Sequence, residues 1–190
     1  MYKRQKIDEI KAIFANVKDV EILSIKDGIE IPEVVEDGDT FEANSAKKAL
    51  EIAKFTGMIT IADDSGLCVD ALGGAPGVYS ARYSGENATD ESNNAKLMEV
   101  MKDEKNRKCH FVRVITLGKP DGRAYSFRGE IEGELLYEPK GKDGFGYDPY
   151  FYVAEYGKSL AEMPEIKNKI SHRANALKKL EKELDRVLAD

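Results

Sequence analysis

The sequence predicts an α/β domain with a mixed, partly antiparallel central sheet and flanking helices. Three observations carry that expectation. Two β-rich runs, "CHFVRVITLG" and "RAYSFRGEIEGELL", flank the turn signal "KPDG" and read as an antiparallel hairpin. Four stretches place helix formers or apolar residues at helical spacing. The elements mix without the strict βαβ alternation of a purely parallel sheet.

Taken in order, "QKIDEIKAIF" sets Ile7, Ile10, Ile13 and Phe14 on one helical face. "VEILSI" alternates and reads as a strand. "KDGIEIPEVVEDGD", with Gly28, Pro32 and Gly38, reads as an acidic loop. "TFEANSAKKALEIAKFTG" reads as a helix from Thr40 that stops at Gly57, a C-cap residue. "MITIAD" reads as a buried strand, and "ATDESNNAKLMEVMK" as a helix capped by Thr89 or Asp90. "YEPKGKDGFGYDPYF" is too rich in Gly, Pro and Asp to form a regular element. Ser171 caps a last helix that runs close to the C-terminus.

A chain of 190 residues is expected to form one domain over residues 1–190. Its 42% hydrophobic and 34% charged residues are ordinary for a soluble globular protein. A formal net charge of −6 argues against a nucleic-acid partner, which calls for a basic excess or patch. It leaves room for a nucleotide held by a few local lysines and arginines. Cys68 and Cys109 form no CxxC pair, so neither a disulfide framework nor a zinc site is expected, and a reduced, cytoplasmic setting is the simplest reading. No apolar run approaches the roughly 20 residues that span a bilayer, so no membrane partner is expected.

Four stretches carry candidate chemistry. In "TIADDSGL", Asp63 and Asp64 close an apolar run, where oxygen ligands for Mg²⁺ and a general base could sit; an Asx turn at a strand end is the competing reading. In "GKDGFGYDPYF" the glycines permit close backbone approach to a ligand. There Phe145 and Tyr147 could stack on a base and Asp148 could bond its edge, or the segment is simply a surface loop. In "EIKNKISHRANAL", His172 and Arg173 fall in the first turn behind Ser171, a natural anion site. A cation there is disfavoured by the helix dipole, so Arg173 is expected to have an anionic or acceptor partner. In "EDGDTFEANSAKK", Glu36 and Glu42 are possible metal ligands, and Lys48 could reach a phosphate or line a solvated helix face.

In combination and in this order, "ADDSGLCVDALGGAPGVYSARYSG", "GFGYDPYF" and "ISHRANAL" resemble the inosine triphosphate pyrophosphatase family, also known as dITP/XTP pyrophosphatases, over roughly residues 6–185. The resemblance implies a mixed sheet with two lobes around a nucleotide cleft, and a homodimer. It implies Mg²⁺-dependent hydrolysis of ITP, dITP and XTP, noncanonical purine triphosphates, to monophosphate and pyrophosphate, which cleanses the nucleotide pool. Asp64 would be the catalytic carboxylate, binding the metal and activating water, and Glu36 the second metal carboxylate. Lys6, Lys48 and Lys167 would contact phosphates and Ser65 the substrate. Phe145, Gly146, Tyr147 and Asp148 would form the base and sugar pocket, and His172 with Arg173 would read the purine. Family members open with an apolar strand and a Thr-Gly-Asn phosphate loop before the lysine matched by Lys6. "MYKRQ" stands there instead, so a shortened N-terminus with impaired activity is expected. Two alternatives are a related pyrophosphatase acting on other modified nucleotides, and a catalytically impaired nucleotide-binding dimer.

Overall fold

The run from Lys108 to Gly118 is apolar at most positions because both of its faces are covered. In the computed structural model, which describes residues 2–190 and side chains from Ile7 onward, this run is the second strand of a five-stranded sheet. The strands are β1 (Thr60–Val69), β2 (Lys108–Gly118), β3 (Ala124–Leu135), β4 (Phe151–Val153) and β5 (Lys158–Ser159), in that spatial order. The expected hairpin is β2–β3, closed at Lys119–Gly122 with Gly122 at φ +95°. Every pairing between the named strands is antiparallel. The helices are α1 (Tyr2–Phe14), α2 (Phe41–Thr56), α3 (Asp90–Val100), α4 (Pro164–Ile170) and α5 (His172–Ala189). None is long and apolar enough to cross a membrane.

Thr40 caps α2 by accepting from the Ala43 N–H at 3.0 Å, and left-handed Gly57 ends it, as the sequence predicts. The buried stripe of α2 is Phe41, Asn44, Ser45, Ala49 and Ala53. Its small residues let the helix lie close on the sheet, and a Cβ on Gly118 would come within 3.0 Å of Ala49. On the opposite face α5 buries Ala176, Leu177, Leu180, Leu184 and Val187 against Ile115, Leu117 and Phe127. A second apolar cluster on that side joins Leu67 and Phe111 to Leu97 and Met101 near α3 and to Tyr147 and Phe151. Each fully buried leucine contributes roughly 1.5–3 kcal/mol.

Three sequence expectations change. Residues 20–24, "VEILS", form no strand: bracketed by Asp19 at φ 60° and the capping box of Ser24 with Asp27, they stay off the free edge of β1. Their apolar side chains instead join Ile10, Phe14, Ile52 and Ile61 in lining a cavity of about 760 Å³. Alternation gave the buried face, but nothing in it supplied a pairing partner. Second, Asp63 and Asp64 do not close a strand before a turn. β1 continues to Val69, and the two acids face Ile115 and Val114 in mid-strand. Ser65 and Gly66 looked like turn residues, yet Gly66 is required because a Cβ there would fall 2.3 Å from the Gly77 carbonyl and 2.5 Å from Ser80 Oγ. Third, a short helix, α4, precedes the cap of α5, opened by Pro164.

The seat of α5 on β3 is equally tight. A Cβ on Gly129 would lie 2.1 Å from the His172 carbonyl and 2.3 Å from the Ala176 nitrogen, both helix backbone. Gly129→Ala must therefore push α5 off the sheet, and is expected to cost about 3 kcal/mol in urea unfolding. An unchanged unfolding midpoint would refute this packing.

Candidate active site

Successive residues of a strand point to opposite faces, and β1 uses this to divide its acids. Asp64 points toward α2. Its Oδ2 accepts from the Asn44 amide at 3.1 Å and its Oδ1 from the Ser65 N–H at 2.9 Å. Asn44 is 1% exposed, and its own orientation is fixed because its Oδ1 accepts from the Gly38 N–H at 2.8 Å. That bond ties the 36–38 loop, through Asn44, to Asp64. Gly38 is needed for the approach, since a Cβ would lie 2.8 Å from Asn44 Oδ1. Lys48, one helical turn beyond Asn44, ion-pairs with Glu36 and donates to the Asp63 carbonyl at 2.9 Å. Burial pushes the Asp64 carboxyl above its ordinary range and the Glu36 charge adds to this, while its two hydrogen bonds and Lys48 oppose it.

Two carboxylates with hard oxygen donors suit Mg²⁺, which takes one or two carboxylates and completes its shell with water and phosphate oxygens. Among the described residues no cluster of three or more acidic, His or Cys side chains forms a closed metal cage. Glu42 stands apart from Asp64, held by Arg128 at 2.9 Å.

Asp63 and Ser65 point to the other face. Buried Arg113 bridges them, 3.1 Å from Asp63 Oδ2 and 3.2 Å from Ser65 Oγ. Arg113 also neighbours His172, which opens α5 behind the cap Ser171, whose Oγ accepts from the Ala174 N–H at 3.2 Å. The His172 ring stacks on Phe111 with centroids 5.0 Å apart, and its Nδ1 is buried with no hydrogen-bond partner among the described residues. Burial, helped by Arg113, Lys167 and Arg173, pushes its pKa well below the ordinary value, so the ring is neutral and donates through one nitrogen only. Arg173 has the anionic partner that its place against the helix dipole demands: Glu9 of α1, at 2.8 Å.

The glycine-rich loop lies on this second side. Phe145 is 46% exposed, with Lys167 Nζ 4.3 Å from its ring centroid. Tyr147 is only 5% exposed, sits in the core and donates to the Ser80 carbonyl at 2.7 Å. It is therefore no stacking surface for a base; it is buried with apolar residues of β1 and α3, far away in sequence, and of the nearby β4. Asp148 is buried, ion-paired with Lys167, and accepts from the Phe145 N–H at 3.0 Å. Burial raises its pKa more than Lys167 lowers it. Gly146 is held by α3: its N–H donates to Asp90 Oδ2 and its carbonyl accepts from the Asn94 amide, each at 2.8 Å.

The structure thus gathers Glu36, Lys48 and Asp64 in one cluster, and Phe145, Gly146, Asp148, Lys167, His172 and Arg173 around another. Ser65, through Arg113, stands between them. Lys167 belongs with the loop rather than with Lys48, because Asp148 claims its charge. The Lys6 side chain lies outside the described residues. Sequence reading missed Asn44, Arg113, Asp90 and Asn94. The signal available for Arg113 was a lone charge within an apolar strand, "HFVRVITL".

Residues 3–183 match the Ham1 family. A dITP/XTP pyrophosphatase from Geobacter sulfurreducens is 51% identical over 175 residues, spanning 90% of this chain and 87% of the relative. One from Desulfotalea psychrophila is 47% identical over 186 residues, spanning 97% and 83%. The Ham1 protein of Staphylococcus aureus superposes with a TM-score of 0.90 at 41% identity, covering 97% of this chain and 95% of the other.

The neutral His172 has a measurable consequence. In the unfolded chain it takes up a proton below about pH 6.5; in the fold it does not, so stability is lost as the pH falls below that value. The unfolding free energy of the native protein minus that of His172→Gln should fall by about 1.4 kcal/mol between pH 7.5 and 5.5. Urea unfolding at the two pH values measures it; a difference independent of pH would show that His172 titrates in the fold as it does in the unfolded chain, and a rise that it is held protonated.

Proposed function

The chain belongs to the Ham1 family, and on that premise we propose that it is a nucleoside triphosphate pyrophosphatase acting on deaminated purine nucleotides: ITP, dITP and XTP. The products are the nucleoside monophosphate and pyrophosphate, and the role is clearance of these nucleotides from the cytoplasmic pool by a homodimer working with Mg²⁺. The names of the relatives and the resemblance of the motifs support this reading. One observation carries it: the Asp64 carboxylate, fixed by Asn44 and the Ser65 N–H, beside Glu36 and Lys48.

Asp64 and Glu36 would hold Mg²⁺, which when bound neutralises phosphate charge. Asp64 orients a water toward the α-phosphorus and accepts its proton as the bond to the bridging oxygen of the β-phosphate breaks. The leaving pyrophosphate keeps that oxygen. Phosphate contact is assigned to Lys48 beside Glu36 and Asp64, with Lys6 and Lys167 carried over from the resemblance alone. On the far side of the strand, the exposed Phe145 ring offers a stacking face for the base. Arg173 and the single N–H of neutral His172 donate to the 6-oxygen of hypoxanthine or xanthine. Adenine presents an amino donor at that position, and a buried mismatch of this kind can discriminate by as much as roughly 10⁴-fold.

Asp64→Asn should abolish pyrophosphate release from dITP while leaving the melting temperature within a few degrees; turnover near normal would remove Asp64 from the chemistry. EDTA should stop the reaction and Mg²⁺ restore it. Arg173→Ala should lower kcat/KM for dITP by roughly 100-fold. A loss matched by an equal fractional loss for ATP would make Arg173 structural through Glu9 rather than a reader of the base.

A further inference from the structure

Both main-chain hydrogen-bonding groups of a single loop residue, Gly146, are taken by side chains of α3. Asp90 and Asn94 stand four residues apart, hence on one face of the helix. Asp90 accepts from the Gly146 N–H and Asn94 donates to its carbonyl. Gly146 holds φ +59°, and a Cβ there would meet nothing within 4 Å, so glycine is needed for backbone conformation and not for space. The residues on either side are then forced apart. Tyr147 turns into the core, and Phe145 turns outward with nearly half its surface open. α3 is a firm anchor: Thr89 and Ser92 form its capping box, and Leu97 and Met101 are fully buried in the cluster that also holds Tyr147. Asn94 is itself nine-tenths buried.

We infer that Asp90 and Asn94 are positioning residues for purine binding, which clamp the Gly146 peptide and so hold the Phe145 ring ready for the base. The inference rests on the reading of Phe145 as the stacking face. The clamp acts on a contact made equally in the ground state and the transition state, so it sets KM and leaves kcat. Neither residue touches Asp64, Glu36 or Lys48.

The test is steady-state hydrolysis of dITP with Mg²⁺, together with melting temperatures, for Asp90→Ala, Asp90→Asn, Asn94→Leu and Phe145→Ala. Asp90→Ala and Asn94→Leu should each raise KM roughly 5–10-fold, the worth of one hydrogen bond, with kcat within about two-fold. Asp90→Asn keeps an acceptor for the Gly146 N–H and should keep KM close to native. Asp90 is exposed, so its variants retain the fold even where Asn94→Leu does not. If Phe145→Ala raises KM while Asp90→Ala and Asn94→Leu do not, the clamp is overturned and the stacking reading stands. If Phe145→Ala leaves KM unchanged, both fall. A joint loss of kcat and melting temperature at native KM would also overturn the clamp, making both residues supports of α3 alone.

Discussion

The ten-residue antiparallel pairing of β1 with β2 is the constraint on which the rest depends. It fixes the pleat at Asp63 and Asp64 and sends two adjacent carboxylates to opposite faces of one sheet. A slip of one residue would exchange them, placing Asp64 beside Arg113 and Asp63 beside Asn44. Such a slip is blocked on both sides. Gly66 must lie under the Gly77 carbonyl and Ser80, and Gly118 under Ala49, and neither position has room for a Cβ. Register, helix approach and the separation of the two acids are thus one packing problem with one solution.

The two acids are neutralised differently, in keeping with their surroundings. Asp63 is buried against Arg113, and removing one partner of such a pair typically costs roughly 3–5 kcal/mol because the other charge is left stranded. It is committed to structure. Asp64 accepts hydrogen bonds from neutral donors, the Asn44 amide and the Ser65 N–H, and lies between the like charge of Glu36 and the opposite charge of Lys48. Among the described residues no ion pair holds its carboxylate as Arg113 holds that of Asp63. The same contrast recurs at the loop, where Asp148 is spent on Lys167 while the exposed ring of Phe145 stays accessible.

How much was legible in the sequence follows from the range of the forces involved. α2, α3 and α5 were readable because Thr40, Thr89, Ser171 and Gly57 set their ends through local hydrogen bonds and φ angles. The β2–β3 hairpin was readable from "KPDG" for the same reason. "VEILSI" misled because alternation reports a half-buried face and says nothing of a pairing partner. "DDSG" misled because Ser65–Gly66 has turn composition, while its glycine answers to a contact with residues 77–80. The motif residues Asp64, Phe145, His172 and Arg173 could be named from local spacing and resemblance. Asn44, Arg113 and Asp90 could not, since their roles exist only across 20 to 56 residues of chain.

Those long-range residues also explain how the fold holds the two clusters in fixed relation. Arg113 bonds Ser65, whose N–H in turn bonds Asp64, and the same guanidinium lies beside His172 at the start of α5. One buried cation on β2 therefore touches both the strand that carries Asp64 and the helix end that carries His172 and Arg173. Its charge adds to burial in keeping His172 neutral, so the imidazole offers a single directed donor and not a second cation. The same side chain thus contributes to orientation at one cluster, through Ser65, and, after burial, to hydrogen-bond polarity at the other.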